Sequence, residues 1–85
     1  MYRLVKYVGK DGTDKLARVA EMHSLEGSFY QTPYIGTSIY FIYNDLSGKM
    51  LASSTIEAMQ TADNRLEIVT RNSIFVFEKV EESNE

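Results

Sequence analysis

RLEIVTRNSIFVFEKV, residues 65–80, is the stretch whose reading decides the fold. Leu66 and Ile68 alternate with Arg65, Glu67 and, further on, Arg71, the period-2 pattern of a half-buried strand. Ile74 to Val80 is a second run, dense in β-branched and aromatic side chains. Only Arg71, Asn72 and Ser73 separate the strand ending at Thr70 from the strand starting at Ile74. Asn tolerates the left-handed backbone and Ser bonds to nearby backbone groups, so the polar run makes a tight hairpin without any ligand. The competing reading places Arg71, Asn72 and Ser73 in a recognition site at the mouth of a barrel.

Upstream the same grammar repeats. Ser38 to Tyr43 is the strongest strand signal in the chain, and its alternation is expected to bury Tyr40 and Ile42. Asn44-Asp45-Leu46-Ser47-Gly48 has the Asx side chains and the glycine of a hairpin loop. Lys49 to Met59 returns as a strand. Ser54-Thr55-Ile56-Glu57 also fits a helix capping box, but a two-turn helix there would leave the preceding hairpin without a partner. Thr61-Ala62-Asp63-Asn64 is the next turn. Residues 38–80 therefore form a three-loop meander, and Tyr2 to Val8 supplies one more strand to close it.

Residues 14–26, DKLARVAEMHSLE, carry two readings. Leu16, Val19, Ala20 and His23 recur at helical spacing with Gly27 placed to end the helix. A strand paired with residues 2–8 through the Gly9-Lys10-Asp11-Gly12 reversal is the other. Phe29 to Tyr34 is extended or looped, because Pro33 removes a donor and restricts Thr32. The expected fold is mainly β: a small SH3-like or OB-like antiparallel barrel of about five strands over residues 1–80, with one short helix in 14–26 if the first reading holds. Residues 81–85 are expected to be an acidic disordered tail.

Composition narrows the chemistry. The chain has 85 residues, no cysteine and a single histidine, His23. Thiolate metal sites, disulfides and cysteine nucleophiles are thereby excluded, and no His/carboxylate spacing matches a metal site or other cofactor site. The glycines fall singly at turns, not in a phosphate-cradling loop. No enzymatic activity is expected. Charges inside the first apolar segment argue against a signal peptide, and Ile39 to Tyr43 is too short to cross a bilayer as a helix. A cytoplasmic protein without membrane contact is the expectation. The net charge of −3 is unevenly spread: Arg3, Lys6, Lys10, Lys15 and Arg18 outnumber Asp11 and Asp14 in residues 1–18, while acids dominate the rest.

The sequence from Pro33 to Lys79 resembles a layout found among small bacterial and phage-encoded β proteins. Its marks are Pro33 to Gly36, the aromatic strand Ile39 to Tyr43, the Ser/Thr-rich Ser53 to Ile56, and Thr70, Asn72, Ser73 and Phe75. The resemblance implies a phage-related or mobile-element protein and no particular activity.

Three functional readings follow. The first is a non-enzymatic protein-interaction module, an adaptor or an inhibitor that occludes a host protein or binds its own copy; six tyrosines and an acidic surface support it. The second is an oligomeric binder of a nucleotide-like ligand. Arg71 would face phosphate, Asn72 a base edge, and Tyr43 or Tyr30 of a neighbouring subunit would stack. Arg71 has a simpler role as cross-strand partner of Glu57 or Glu67. The third is a nucleic-acid-binding barrel that stacks bases on Tyr40, Phe41 and Tyr43, with phosphates along the N-terminal basic residues; the acidic total opposes it. Candidate binding residues are therefore Tyr30, Tyr34, Tyr40, Tyr43, Arg71, Asn72 and Ser73.

Overall fold

The computed structural model describes residues 1–80, so the expected acidic tail lies outside the described residues. Six strands and one helix follow in the order β1 (Tyr2–Gly9), α1 (Leu16–Met22), β2 (Glu26–Phe29), β3 (Ser38–Tyr43), β4 (Met50–Ala62), β5 (Arg65–Thr70) and β6 (Ser73–Lys79). Every neighbouring pair is antiparallel, and β6 returns to β1, so the sheet closes into a barrel-like ring. Closure pairs the backbone groups that an open sheet would leave at its edges.

The strand absent from the expected set is β2. Glu26-Gly27-Ser28-Phe29 contains two poor strand formers and sits against a helix-forming stretch, so its sequence carries almost no strand signal. What makes it a strand is its fit between neighbours. Tyr2 pairs with Gly27 on one side and Tyr43 pairs with Gly27 on the other. A Cβ at Gly27 would collide with the Ile42 carbonyl oxygen, so the close approach of β2 to β3 needs glycine there.

Residues 14–26 resolve as the helix rather than a hairpin with β1. Gly12 turns the chain at φ +91°, and its N–H donates to the Gly9 carbonyl. Next to that reversal the segment meets β1 through the isolated bridge Val8–Asp14 and the bond from the Lys15 N–H to the Tyr7 carbonyl. It rejoins β1 only at its far end, where the Leu4 N–H donates to the Leu25 carbonyl and Arg3 pairs with Glu26. The Asp14 carboxylate accepts the Leu16 N–H at 2.9 Å, which opens α1. Because β2 covers only Tyr2 and Arg3, the other half of β1 has β6 on one side and α1 on the other.

β4 is long because it serves two neighbours. Its first half pairs with β3 and its second with β5, with irregularities at Ser38/Tyr40 and at Ile56/Ala58 that bend it around the ring. At the first of these, the Ile39 N–H donates to the Ser53 hydroxyl at 2.8 Å, so the disrupted ladder stays satisfied.

Inside the ring lie Leu4, Ile39, Phe41, Ile56, Ile68, Phe75 and Phe77, all essentially inaccessible. Phe41 and Phe77 approach to 4.9 Å between ring centroids, and Phe29 meets both edge-on. The phase of β3 is the reverse of the one expected from sequence: Ile39, Phe41 and Tyr43 face inward, Tyr40 is half-buried and Ile42 is exposed. All of Ile39 to Tyr43 is apolar or aromatic, so either phase is locally acceptable. A one-residue choice of register then moves every side chain to the opposite face. No helix among the described residues is long and apolar enough to cross a membrane.

Candidate functional site

The candidate residues separate into three places. At the β5–β6 hairpin, Thr70 and Ser73 are buried, while Arg71 and Asn72 are exposed. The Thr70 hydroxyl accepts the Ser73 N–H at 3.1 Å and donates to the Ser73 carbonyl at 3.1 Å. The Ser54 hydroxyl lies 3.0 Å from the Thr70 hydroxyl and accepts the Asn72 N–H at 3.1 Å. Backbone bonds from Arg71 N–H to the Thr55 carbonyl and from Lys10 N–H to the Asn72 carbonyl complete the node. These groups satisfy one another, which is why the apolar strand β6 can begin on a polar run. Ser73 is thus occupied within the fold. The Arg71 side chain pairs with neither Glu57 nor Glu67 among the described residues, and Glu57 is engaged by Lys10 at 3.0 Å.

The second place is the outer face of β2–β3–β4. Phe29, Phe41 and Leu51 are matched across these strands and point inward. Their neighbours Ser28, Tyr30, Tyr40, Ile42, Met50 and Ala52 therefore share the outside, Ser28 opposite Ile42. Tyr30 and Tyr40 are joined by a backbone bond from Tyr30 N–H to the Tyr40 carbonyl at 2.8 Å, and Ile42 pairs with Met50. Tyr30 is 70% exposed, Met50 45% and Ile42 37%. No charged side chain interrupts this strip, and the Arg3–Glu26 ion pair, at 2.6 Å, borders it on β1 and β2. The β2–β3 loop continues it with exposed Tyr34 and Ile35. That loop is held by bonds from the Thr37 N–H and hydroxyl to the Tyr34 carbonyl and from Gly36 N–H to the Ile56 carbonyl.

The third place is a cleft of about 630 Å³ between α1 and the ring, and Tyr43 belongs to it. The His23 ring lies flat on Tyr43, with centroids 4.2 Å apart and planes within 4°. The Asp45 carboxylate meets His23 Nδ1 at 3.2 Å and accepts the Ser24 N–H at 3.1 Å. Hydrogen bonds from the Ser47 hydroxyl and N–H, joined by those from Ser24 and His23, hold Asp45 well below the usual carboxylate range. Burial raises the Tyr43 phenol above its ordinary value, with Tyr7 and Asp45 adding to the effect.

Among the described residues, His23, Asp45 and Ser47 form the cluster that looks like hydrolytic machinery. Its geometry is different. Ser47 Oγ and Asp45 both approach the same ring nitrogen, Nδ1, and the Ser47 hydroxyl donates to Asp45. A relay needs the nucleophile and the carboxylate on opposite nitrogens. The arrangement instead fixes the loop 44–48 to the end of α1.

The stacking platform Tyr40, Phe41 and Tyr43 does not assemble, because Phe41 and Tyr43 face the core and Tyr40 faces out. Arg71 and Asn72 likewise stand apart from the cleft that holds Tyr43. The sequence reading missed the cleft residues Tyr7, Lys15 and Arg18 as a group. The signal was the helical spacing of Leu16, Val19 and His23, which turns Lys15 and Arg18 toward the flank of the same face. Comparison with known protein families, curated proteins and solved structures finds no match to this chain.

Proposed function

We propose that this protein is a non-enzymatic interaction module that works by laying the outer face of β2–β3–β4 on a partner protein. One observation carries the reading. Strand register places Tyr30, Tyr40, Ile42, Met50 and Ala52 together on an uncharged exterior face of a chain whose net charge is −3. Surface strands ordinarily alternate apolar-in with polar-out. An apolar, tyrosine-bearing centre with an ion pair at its margin has the anatomy of a protein interface. Closure of β6 onto β1 leaves no terminal strand for an extended segment to pair with along its length, which favours a contact carried by side chains.

The acidic character of the chain favours a basic partner surface, and the Pro33-to-Lys79 layout supports a phage-type inhibitor that occludes such a surface inside the cytoplasm. Site-specific photo-crosslinking tests the reading. A photoreactive phenylalanine replaces Tyr30, Tyr40 or Ile42 in the native host cell, with Gln60 and Glu67 as controls on the β4–β5 hairpin. One discrete adduct from the first set, lost on competition with untagged protein, is the expected result. The adduct mass separates a second copy of the chain from a different protein. Equal yields from both sets, or none from the first, remove this face from the function.

A further inference from the structure

The cleft beside α1 is independent of that exterior face. It opens among Tyr7, Tyr43 and Leu51, which sit on the inward sides of β1, β3 and β4. Its volume of about 630 Å³ falls in the range of roughly 300–1,000 Å³ usual for small-molecule sites. The reason for the opening lies in the helix. α1 buries none of its residues, Leu16 and Val19 only lean on the core, and Met22 is 65% exposed at the rim. An apolar floor is thus left under a cover that does not seal it.

The walls are flat and aromatic. Tyr7 stacks on Phe75 at 4.4 Å, and His23 stacks on Tyr43. Asp45 fixes the His23 ring from behind without lining the cleft. Neither the Tyr7 nor the Tyr43 hydroxyl has a hydrogen-bond partner among the described residues, and both side chains line the cavity.

Two cations, Lys15 and Arg18, stand at the rim, with Asp11 close to Lys15. Lys15 Nζ lies 5.5 Å from the Tyr7 ring centroid, and Arg18 has no carboxylate partner among the described residues. The single acid of the lining, Asp14, already accepts the Leu16 N–H. Thr13 adds a hydroxyl.

We infer that the cleft between α1 and the ring binds a small planar anion, with its flat ring body against Tyr7, His23, Val19 and Leu51 and its carboxylate or phosphate head between Lys15 and Arg18. Both head groups offer the same chemistry to a guanidinium and an ammonium, and the flat body satisfies the slot between helix and sheet.

Amide NMR titration of the full chain tests this with two probes, adenosine 5′-monophosphate and 2-naphthoate, against their uncharged counterparts adenosine and 2-naphthalenemethanol. Saturable shifts at Thr13, Lys15, Val19 and His23 are expected with at least one anion, and which anion binds tighter tells a nucleotide from an aromatic acid. Lys15→Gln with Arg18→Gln should weaken binding by roughly tenfold or more, the scale of losing a charge-assisted contact. Arg18→Gln alone changes an exposed side chain at the rim and keeps the comparison intact if the double variant is less stable. Four results overturn the inference: no saturable shift with either anion, equal binding of the uncharged counterparts, unchanged affinity in the variants, or shifts centred on Ile42 and Met50.

Discussion

The β5–β6 hairpin and the α1–β2 segment are both needed to close the ring, and they are held in different ways. The hairpin contributes Leu66, Ile68, Phe75 and Phe77 to the core and seals its turn with the Thr70–Ser73 node. The α1–β2 segment buries no helical residue, docks a four-residue strand by way of Gly27, and is tethered by the polar cluster of His23, Ser24 and Asp45. Apolar burial scales with area, whereas a polar tether nets only on the order of 1 kcal/mol per bond. One side of the molecule is therefore fixed by several fully buried side chains, and the other by Phe29, partly packed helix residues and a few directional contacts. That difference makes α1, with no buried residue, the wall of the cleft whose local opening exposes little apolar surface.

The largest expected effect sharpens this contrast. Phe77→Ala removes a fully buried ring that touches Phe29, Phe41 and Phe75, and large-to-small changes of this kind cost about 3–5 kcal/mol. Val19→Ala on α1 should cost less than about 1 kcal/mol, as expected where a side chain is only partly packed. Urea unfolding of both variants measures the gap. Similar losses would show that α1 is as firmly packed as the hairpin.

Next in size are two changes of about 1–3 kcal/mol with opposite footprints. Thr70→Val keeps the shape but strands the buried Ser73 N–H and takes a partner from Ser54, so loss should appear in global stability. Gly27→Ala forces a methyl against the Ile42 carbonyl, so β2 should separate from β3 while β5–β6 stays protected. Hydrogen exchange distinguishes them. In the Gly27 variant, faster exchange confined to residues 16–29 and 41–43 is expected, and uniform acceleration would contradict a locally held segment.

The same contrast explains how much of the fold was legible in the sequence. Strands β3 and β5 and the hairpin at 71–73 follow from alternation and turn chemistry, because their own residues decide their conformation. β2 was not legible, since Glu26-Gly27-Ser28-Phe29 becomes a strand only through its neighbours. The inward phase of β3 was not legible either, because Tyr40 and Ile42 are as apolar as Phe41. For the candidate residues, the turn at 70–73 was legible and Ser73 does bond within it, but Asn72 does not take the left-handed backbone expected of it; among the described non-glycine residues that conformation falls at Asp63. Tyr30 and Tyr40 were named singly, but their side-by-side placement depends on the β2–β3 register. The cleft lay beyond sequence reach, as it exists only where the helix fails to cover Tyr7, Tyr43 and Leu51.

The smallest effect concerns the tether itself and is a matter of pH. Asp45 is held below its ordinary value chiefly by the Ser47 hydroxyl and N–H, with the Ser24 N–H and His23 adding to them, so folding favours the ionised carboxylate. A group with a depressed folded value stabilises fully above its unfolded value, about pH 4 for Asp, and loses that contribution as pH falls through the folded value. Stability of the native sequence should therefore decline from about pH 4 downward. Asp45→Asn keeps an acceptor for the Ser24 N–H but has no proton to gain, so its decline should be shallower and its deficit relative to the native sequence should shrink as acid is added. Parallel urea midpoints across that range provide the measurement. A constant deficit at every pH would mean that Asp45 contributes through hydrogen-bond geometry alone, and that the end of α1 is anchored by the His23–Tyr43 stack rather than by charge.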